Sequence, residues 1–125
     1  MVPAFVHEHL LVRALVELPI RSYPEAREWV GELVHLLGMR PLAPATGAYC
    51  AVPGNRGVTV LAPIETSHVA LHIWDEERPA LVELDVFSCR EVDPGVVMVH
   101  LSSMRPVRVA SRFLDRSRDF AELPH

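Results

Sequence analysis

The sequence predicts an α+β fold: a two-layer sandwich, its mainly antiparallel sheet carrying two helices on one face, in the order about β-α-β-β-β-β-α-β. Three observations lead there. Ala26, Trp29, Val30, Leu33, Val34 and Leu37 recur at helical spacing, and Asp93-Pro94 opens a second helical stretch. Short apolar or alternating runs cover 5–18, 58–64, 67–74, 80–89 and 107–114, as strands do. The links between the central runs are short and turn-rich, which favours hairpins and antiparallel pairing. Half of the 125 residues are apolar, enough for one domain over 1–125 with one core.

Residues 5–18 mix β-branched and apolar residues with polar ones and read as the first strand. Ser22-Tyr23-Pro24-Glu25 then starts a helix. Proline suits the first turn, where its missing N–H leaves no bond unmade, and Gly38 offers the stop. From 41 to 56 the signal is weak, rich in proline, glycine and small residues, with a turn at Gly54-Asn55-Arg56-Gly57. Val58 to Ile64 and Ser67 to Trp74 follow as strands. Ala80 to Cys89 alternates Leu81, Glu83, Asp85 and Phe87 against Val82, Leu84 and Val86, and the charged residues 75–79 make a hairpin link. Asp93 caps the second helix with Pro94 at its first position, and Pro106 ends it near Met104. Val107 to Leu114 is the last strand, and 115–125 is expected to fray.

The formal net charge of -4 argues against nucleic acid or an anionic membrane as partner. No secretory signal is expected from Met1 to Leu18, where His7, Glu8, His9 and Arg13 interrupt the apolar run, and no stretch is long enough to span a bilayer. Cys50 and Cys89 form no CxxC or metal-type spacing and read as reduced thiols of a cytoplasmic protein.

The chemistry-bearing stretch runs from Ile64 to Trp74 and continues in Asp85-Val86-Phe87-Ser88-Cys89. With a turn at 75–79, antiparallel pairing sets 67 opposite roughly 87 and 65 opposite roughly 89, so Cys89 should lie beside Ser67. His72 is five positions further along, about 16 Å at 3.3 Å per residue. Proton transfer needs heavy atoms within about 3 Å. His72 therefore cannot serve its own Ser67 but could serve that of a second subunit packed face to face. Taken singly, Ser67 is an ordinary surface serine, Cys89 a small core hydrophobe, and His68 a structural histidine. His7, His9, His68 and His72 could share a face, but no carboxylate or cysteine stands at ligand spacing to them, so no metal is expected.

Thr66-Ser67-His68, His72, Ile73-Trp74-Asp75-Glu76 and Asp85-Val86-Phe87-Ser88-Cys89 resemble the motifs of bacterial-type S-adenosylmethionine decarboxylase proenzymes. In that family Glu-Ser-His is followed by a second histidine, Thr-Trp-Pro-Glu, and Asp-(Leu/Val)-Phe-Thr-Cys. His9-Leu10 and Val92-Asp93-Pro94 resemble the starts of the family's first strand and second helix. The resemblance implies autocatalytic cleavage between 66 and 67, which converts Ser67 into a pyruvoyl cofactor that holds the substrate amine as a Schiff base. It further implies that the Cys89 equivalent returns a proton to the substrate. His72 acts in cleavage across a homodimer interface, with Thr59 supplying the hydroxyl that processing uses.

The sequence departs from the family at three other places. Thr66 stands where glutamate precedes the cleaved serine, with Glu65 one place back. Arg13 falls where a glutamate lies near the ribose. The adenine-stacking aromatic falls near Ala51 or Pro53, with only Tyr49 close by. Glu65, His68 and Arg13 are the substrate-binding candidates. The expected activity is decarboxylation of S-adenosylmethionine for spermidine synthesis. The alternatives are the same machinery acting on arginine or ornithine, or an uncleaved, non-enzymatic homologue.

Overall fold

The computed structural model describes residues 6–125. Its elements are β1 (Glu8–Val16), α1 (Tyr23–Leu36), β2 (Thr46–Cys50), β3 (Gly57–Ile64), β4 (Ser67–Trp74), β5 (Ala80–Ser88), α2 (Pro94–Leu101), β6 (Pro106–Asp115) and β7 (Ala121–Glu122). The α+β sandwich expected from the sequence is the fold observed. The first strand begins at Glu8; the part of the expected strand at Phe5 lies outside the described residues.

Local chemistry sets the helix limits. The Ser22 hydroxyl accepts from the Glu25 amide, with Pro24 in the first turn. At the far end Gly38 takes φ 71° while its amide and that of Met39 close onto the carbonyls of His35 and Val34. Asp93 caps α2 through the Gly95 amide at 2.9 Å. A 3-10 turn at Ser102–Met104 extends α2, and Arg105 in the left-handed conformation ends it, one residue before Pro106.

Among the described residues seven strands form one antiparallel sheet in the order β2-β3-β4-β5-β1-β6-β7. Alternation splits it into two faces. Leu10, Val12, Val60, Leu71, Val82, Leu84 and Val86 are buried against the helices, which contribute Ala26, Trp29, Val30, Leu33, Val97 and Leu101 to the same core. Trp29 stacks on His100, and its indole N–H donates to Ser103, locking α1 to the end of α2. The other face carries Leu11, Arg13, Glu83, Asp85, His68 and His72, and no helix of the described residues lies over it. At the start of β3 only glycine fits: Gly57 has φ 154°, and a Cβ there would run into the Ile73 carbonyl.

Two expectations change. The β4–β5 register differs by one residue: Ser67 pairs with Ser88 and Leu71 with Leu84, rather than Ser67 with 87. The expected register would have set Leu71 opposite Glu83 and turned half of the apolar residues to the wrong face. Core burial therefore fixes the pairing, not the symmetry of the 75–79 loop. Residues 115–125, expected to fray, carry a 3-10 turn at Arg116–Arg118 and strand β7. These are fastened by the Arg116 amide on the His7 carbonyl (2.7 Å) and the Leu123 amide on that of Phe113 (2.7 Å).

Candidate active site

Ser67 opens β4 immediately after the two-residue turn Glu65-Thr66, which closes with Ile64 paired to Ser67. Its φ is 146°, a backbone region that side-chain-bearing residues seldom occupy and that costs about 1–3 kcal/mol. The turn is held on both sides. The Glu65 amide donates to the Arg40 carbonyl at 2.9 Å, and the Cys89 amide donates to the Thr66 carbonyl at 2.8 Å. The Thr66 carbonyl belongs to the peptide bond that joins 66 to 67, so a backbone donor already polarises it. The Thr66 hydroxyl is buried without a hydrogen-bond partner among the described residues, a second local cost of this turn.

Cys89 follows the end of β5 and is exposed, while Ser88, opposite Ser67, is fully buried and accepts from the Arg90 amide. Ser67 and Cys89 thus share one end of the β4–β5 ladder. His72 does not join them. It lies five positions along β4, opposite Thr59, and its Nδ1 is 3.1 Å from the Thr59 hydroxyl. The ring stacks on Trp74 at 5.6 Å. The structure therefore sorts the catalytic and processing candidates into two groups, Thr66/Ser67/Cys89 at one end of the strand and Thr59/His72 towards the other. Both His72 and Thr59 face the helix-free side.

Of the substrate-binding candidates, Glu65 is exposed on the turn, and Arg13 pairs across β1–β5 with Glu83 at 3.6 Å. Arg13, Glu83, His72, Asp85, Leu11 and Arg112 line a shallow depression of about 600 Å³ on the open face, which does not reach Ser67. His68 joins a cluster that no linear motif reveals. Its Nε2 and that of His9 lie 3.1 and 3.0 Å from the same Asp85 oxygen. Burial pushes the Asp85 carboxyl up, but the hydrogen bonds and charge of His9 and His68 outweigh it and hold the group below its ordinary value. Phe87 packs under both rings, with the Arg116 guanidinium 4.0 Å over its own ring. Tyr49, the sole aromatic near the expected stacking position, instead donates its hydroxyl to Asp75 at 3.0 Å.

The arrangement defines a class before it defines a family: a two-layer α+β enzyme fold with a strained serine at a hairpin exit. The crystal structure of the adenosylmethionine decarboxylase from Aquifex aeolicus VF5 shares this fold, with a TM-score of 0.72 over 91% of this chain and 92% of that one. At 20% identity that likeness speaks for the fold alone. The S-adenosylmethionine decarboxylase family profile matches residues 18–117, and the chain belongs to that family. The S-adenosylmethionine decarboxylase proenzyme of Pyrobaculum aerophilum is 40% identical over 73 residues, 57% of this chain and 56% of that protein. Its Pyrobaculum islandicum counterpart is 36% identical over 75 residues, 58% of each. The arginine decarboxylase proenzyme of Aeropyrum pernix is 34% identical over 71 residues, 54% of this chain and 52% of that one. The chain spans about half the length of the curated relatives it matches.

Proposed function

We propose that this chain is a self-cleaving, pyruvoyl-dependent decarboxylase acting on S-adenosylmethionine. One observation carries the reading: Ser67 sits at a strained φ of 146°, and the carbonyl just before it accepts the Cys89 amide at 2.8 Å. The Ser67 hydroxyl attacks the Thr66 carbonyl carbon. Negative charge grows on an oxygen that already has a backbone donor, and one such donor is worth about 2.7–4 kcal/mol in a transition state. Breaking the C–N bond transfers the acyl group to oxygen, and the ester frees Ser67 from its strained geometry. Loss of the Ser67 α-proton expels the Thr66 carboxylate and leaves a dehydroalanine. Addition of one water and loss of ammonia then complete the pyruvoyl group. His72 of the partner subunit, held by Thr59, acts as the base.

The residues around 67 fit such a group: it would head β4, with the Ser88 backbone opposite and Cys89 alongside. When formed, it supplies the electron-withdrawing carbonyl that decarboxylation of an amino acid needs. Cys89 then delivers a proton to the substrate carbon. The helix-free face, with Leu11 and Leu61 exposed, supports a homodimer whose two sites share residues. Two free thiols, Cys50 and Cys89, support a cytoplasmic setting. No helix of the described residues is long and apolar enough to cross a membrane.

A second substrate reading, a basic amino acid such as arginine, has specific support. The Aeropyrum pernix relative is named an arginine decarboxylase proenzyme. The experiment is intact mass under denaturing conditions, followed by release of labelled CO2 from S-adenosylmethionine, arginine and ornithine. Two fragments, the second starting at a blocked residue 67, are expected from the wild type and one chain from Ser67→Ala. A wild-type chain that stays whole in its dimeric state refutes the reading, and the preferred substrate decides between its two forms.

A further inference from the structure

We propose that His9, His68 and Asp85 form a binding site for one divalent transition-metal ion of the zinc class. The three residues come from three adjacent strands: β5 lies between β1 and β4, and both histidines pair with Phe87. Asp85 stands two positions further along the same face. Alternation alone therefore delivers two imidazoles and one carboxylate to a single point.

The donor atoms are already close. The Nε2 atoms of His9 and His68 lie 3.0 and 3.1 Å from one Asp85 oxygen, and all three donor atoms lie within 4.8 Å of one another. Metal bonds of about 2.0–2.2 Å at tetrahedral angles need donor separations of roughly 3.4 Å. Two of the three pairs are at that scale, and small side-chain rotations close the third. Phe87 packs against both imidazoles, with centroid distances of 5.3 Å to His9 and 5.7 Å to His68, and limits their other movements.

Donor chemistry selects the ion. Two imidazoles and a carboxylate suit zinc, cobalt or nickel, whereas magnesium prefers an all-oxygen shell. Without an ion, one Asp85 oxygen must accept two N–H groups. An ion replaces those two protons at the same centre and leaves a coordination position for water. The side chains of His9 and Asp85 are 16% and 28% exposed and that of His68 46%, so the site opens to solvent on the His68 side. His72 takes no part: the donor atoms that lie within 4.8 Å of one another are those of His9, His68 and Asp85. The proposal does not depend on cleavage at Ser67.

The test is a cobalt(II) titration of the purified protein and of uncleaved Ser67→Ala, followed by visible absorption. One equivalent should bind with ligand-field bands and without a thiolate band, and zinc but not magnesium should displace it. His9→Gln and Asp85→Asn, checked for fold by circular dichroism, should each weaken binding by about 10–100-fold or more. Cobalt should also broaden the ring protons of His9 and His68 in the wild type, a readout that needs no variant. Absence of saturable binding, a thiolate band placing the ion on Cys50 or Cys89, or wild-type affinity in both variants overturns the site.

Discussion

Strain at Ser67 can be measured directly by comparing two variants, neither of which can cleave. Ser67→Ala keeps a side chain and hence the steric cost at φ 146°, while Ser67→Gly removes it. A residue in this region pays about 1–3 kcal/mol. Glycine gives back about 0.5–1 kcal/mol through the greater freedom of its unfolded chain. The net expectation is that Ser67→Gly is more stable than Ser67→Ala by about 1 kcal/mol, inverting the usual order for a strand position. With a urea slope of about 1–3 kcal/mol per molar, the midpoint should rise by roughly 0.3–1 M. Urea unfolding followed by tryptophan fluorescence, with equal slopes in the two proteins, is the assay. A glycine variant no more stable than the alanine one refutes the strain and removes the ground-state contribution to cleavage.

Further outcomes follow from the same geometry. His72→Ala should not cleave alone, but its Ser67 should be cut when it is mixed and refolded with Ser67→Ala, whose His72 is intact; mass spectrometry that finds no fragments in the mixture contradicts a shared site. Cys89→Ala keeps the backbone amide that holds the Thr66 carbonyl, so cleavage should persist while turnover falls by about 10²–10⁴-fold. Asp85, held below its ordinary value by His9 and His68 against the opposing effect of burial, contributes stability that is fully present above about pH 4 and lost as pH falls through the lower folded value. Asp85→Asn should therefore be less stable than the wild type at pH 7 by about 1–2 kcal/mol. The two urea midpoints should converge as pH falls below the lowered folded value.

Periodicity carried most of the fold. The apolar stripe of α1 and the alternation of β5 are local signals, and both elements form where those signals lie. The same alternation contained the β4–β5 register, because only pairing Leu71 with Leu84 keeps both inside, whereas counting from the loop misses it by one. The insertion of β1 between β5 and β6 was not legible, since hydrogen bonding between strands distant in sequence leaves no local mark. For the site, the Ser67–Cys89 proximity and the separation of His72 followed from strand arithmetic. The Asp85 hub did not. Its partners are 76 and 17 residues away, and only knowledge that β1 neighbours β5 would have shown that His9 and His68 flank it.

The strand order has a consequence for what a cut after Thr66 leaves behind. The longer piece, residues 1–66, would own β1, α1, β2 and β3, and the shorter piece, 67–125, the remainder, yet β1 lies between β5 and β6 of the other piece. The two polypeptides would be interleaved like clasped fingers, joined along three strand seams and one shared core. Separation would require prising open the centre of the sheet, so a nicked molecule should survive dilution that parts ordinary subunits. Once parted, the pieces would have to find each other again as a second-order event, which makes folding as a single chain the economical route and the nick a late, one-way step.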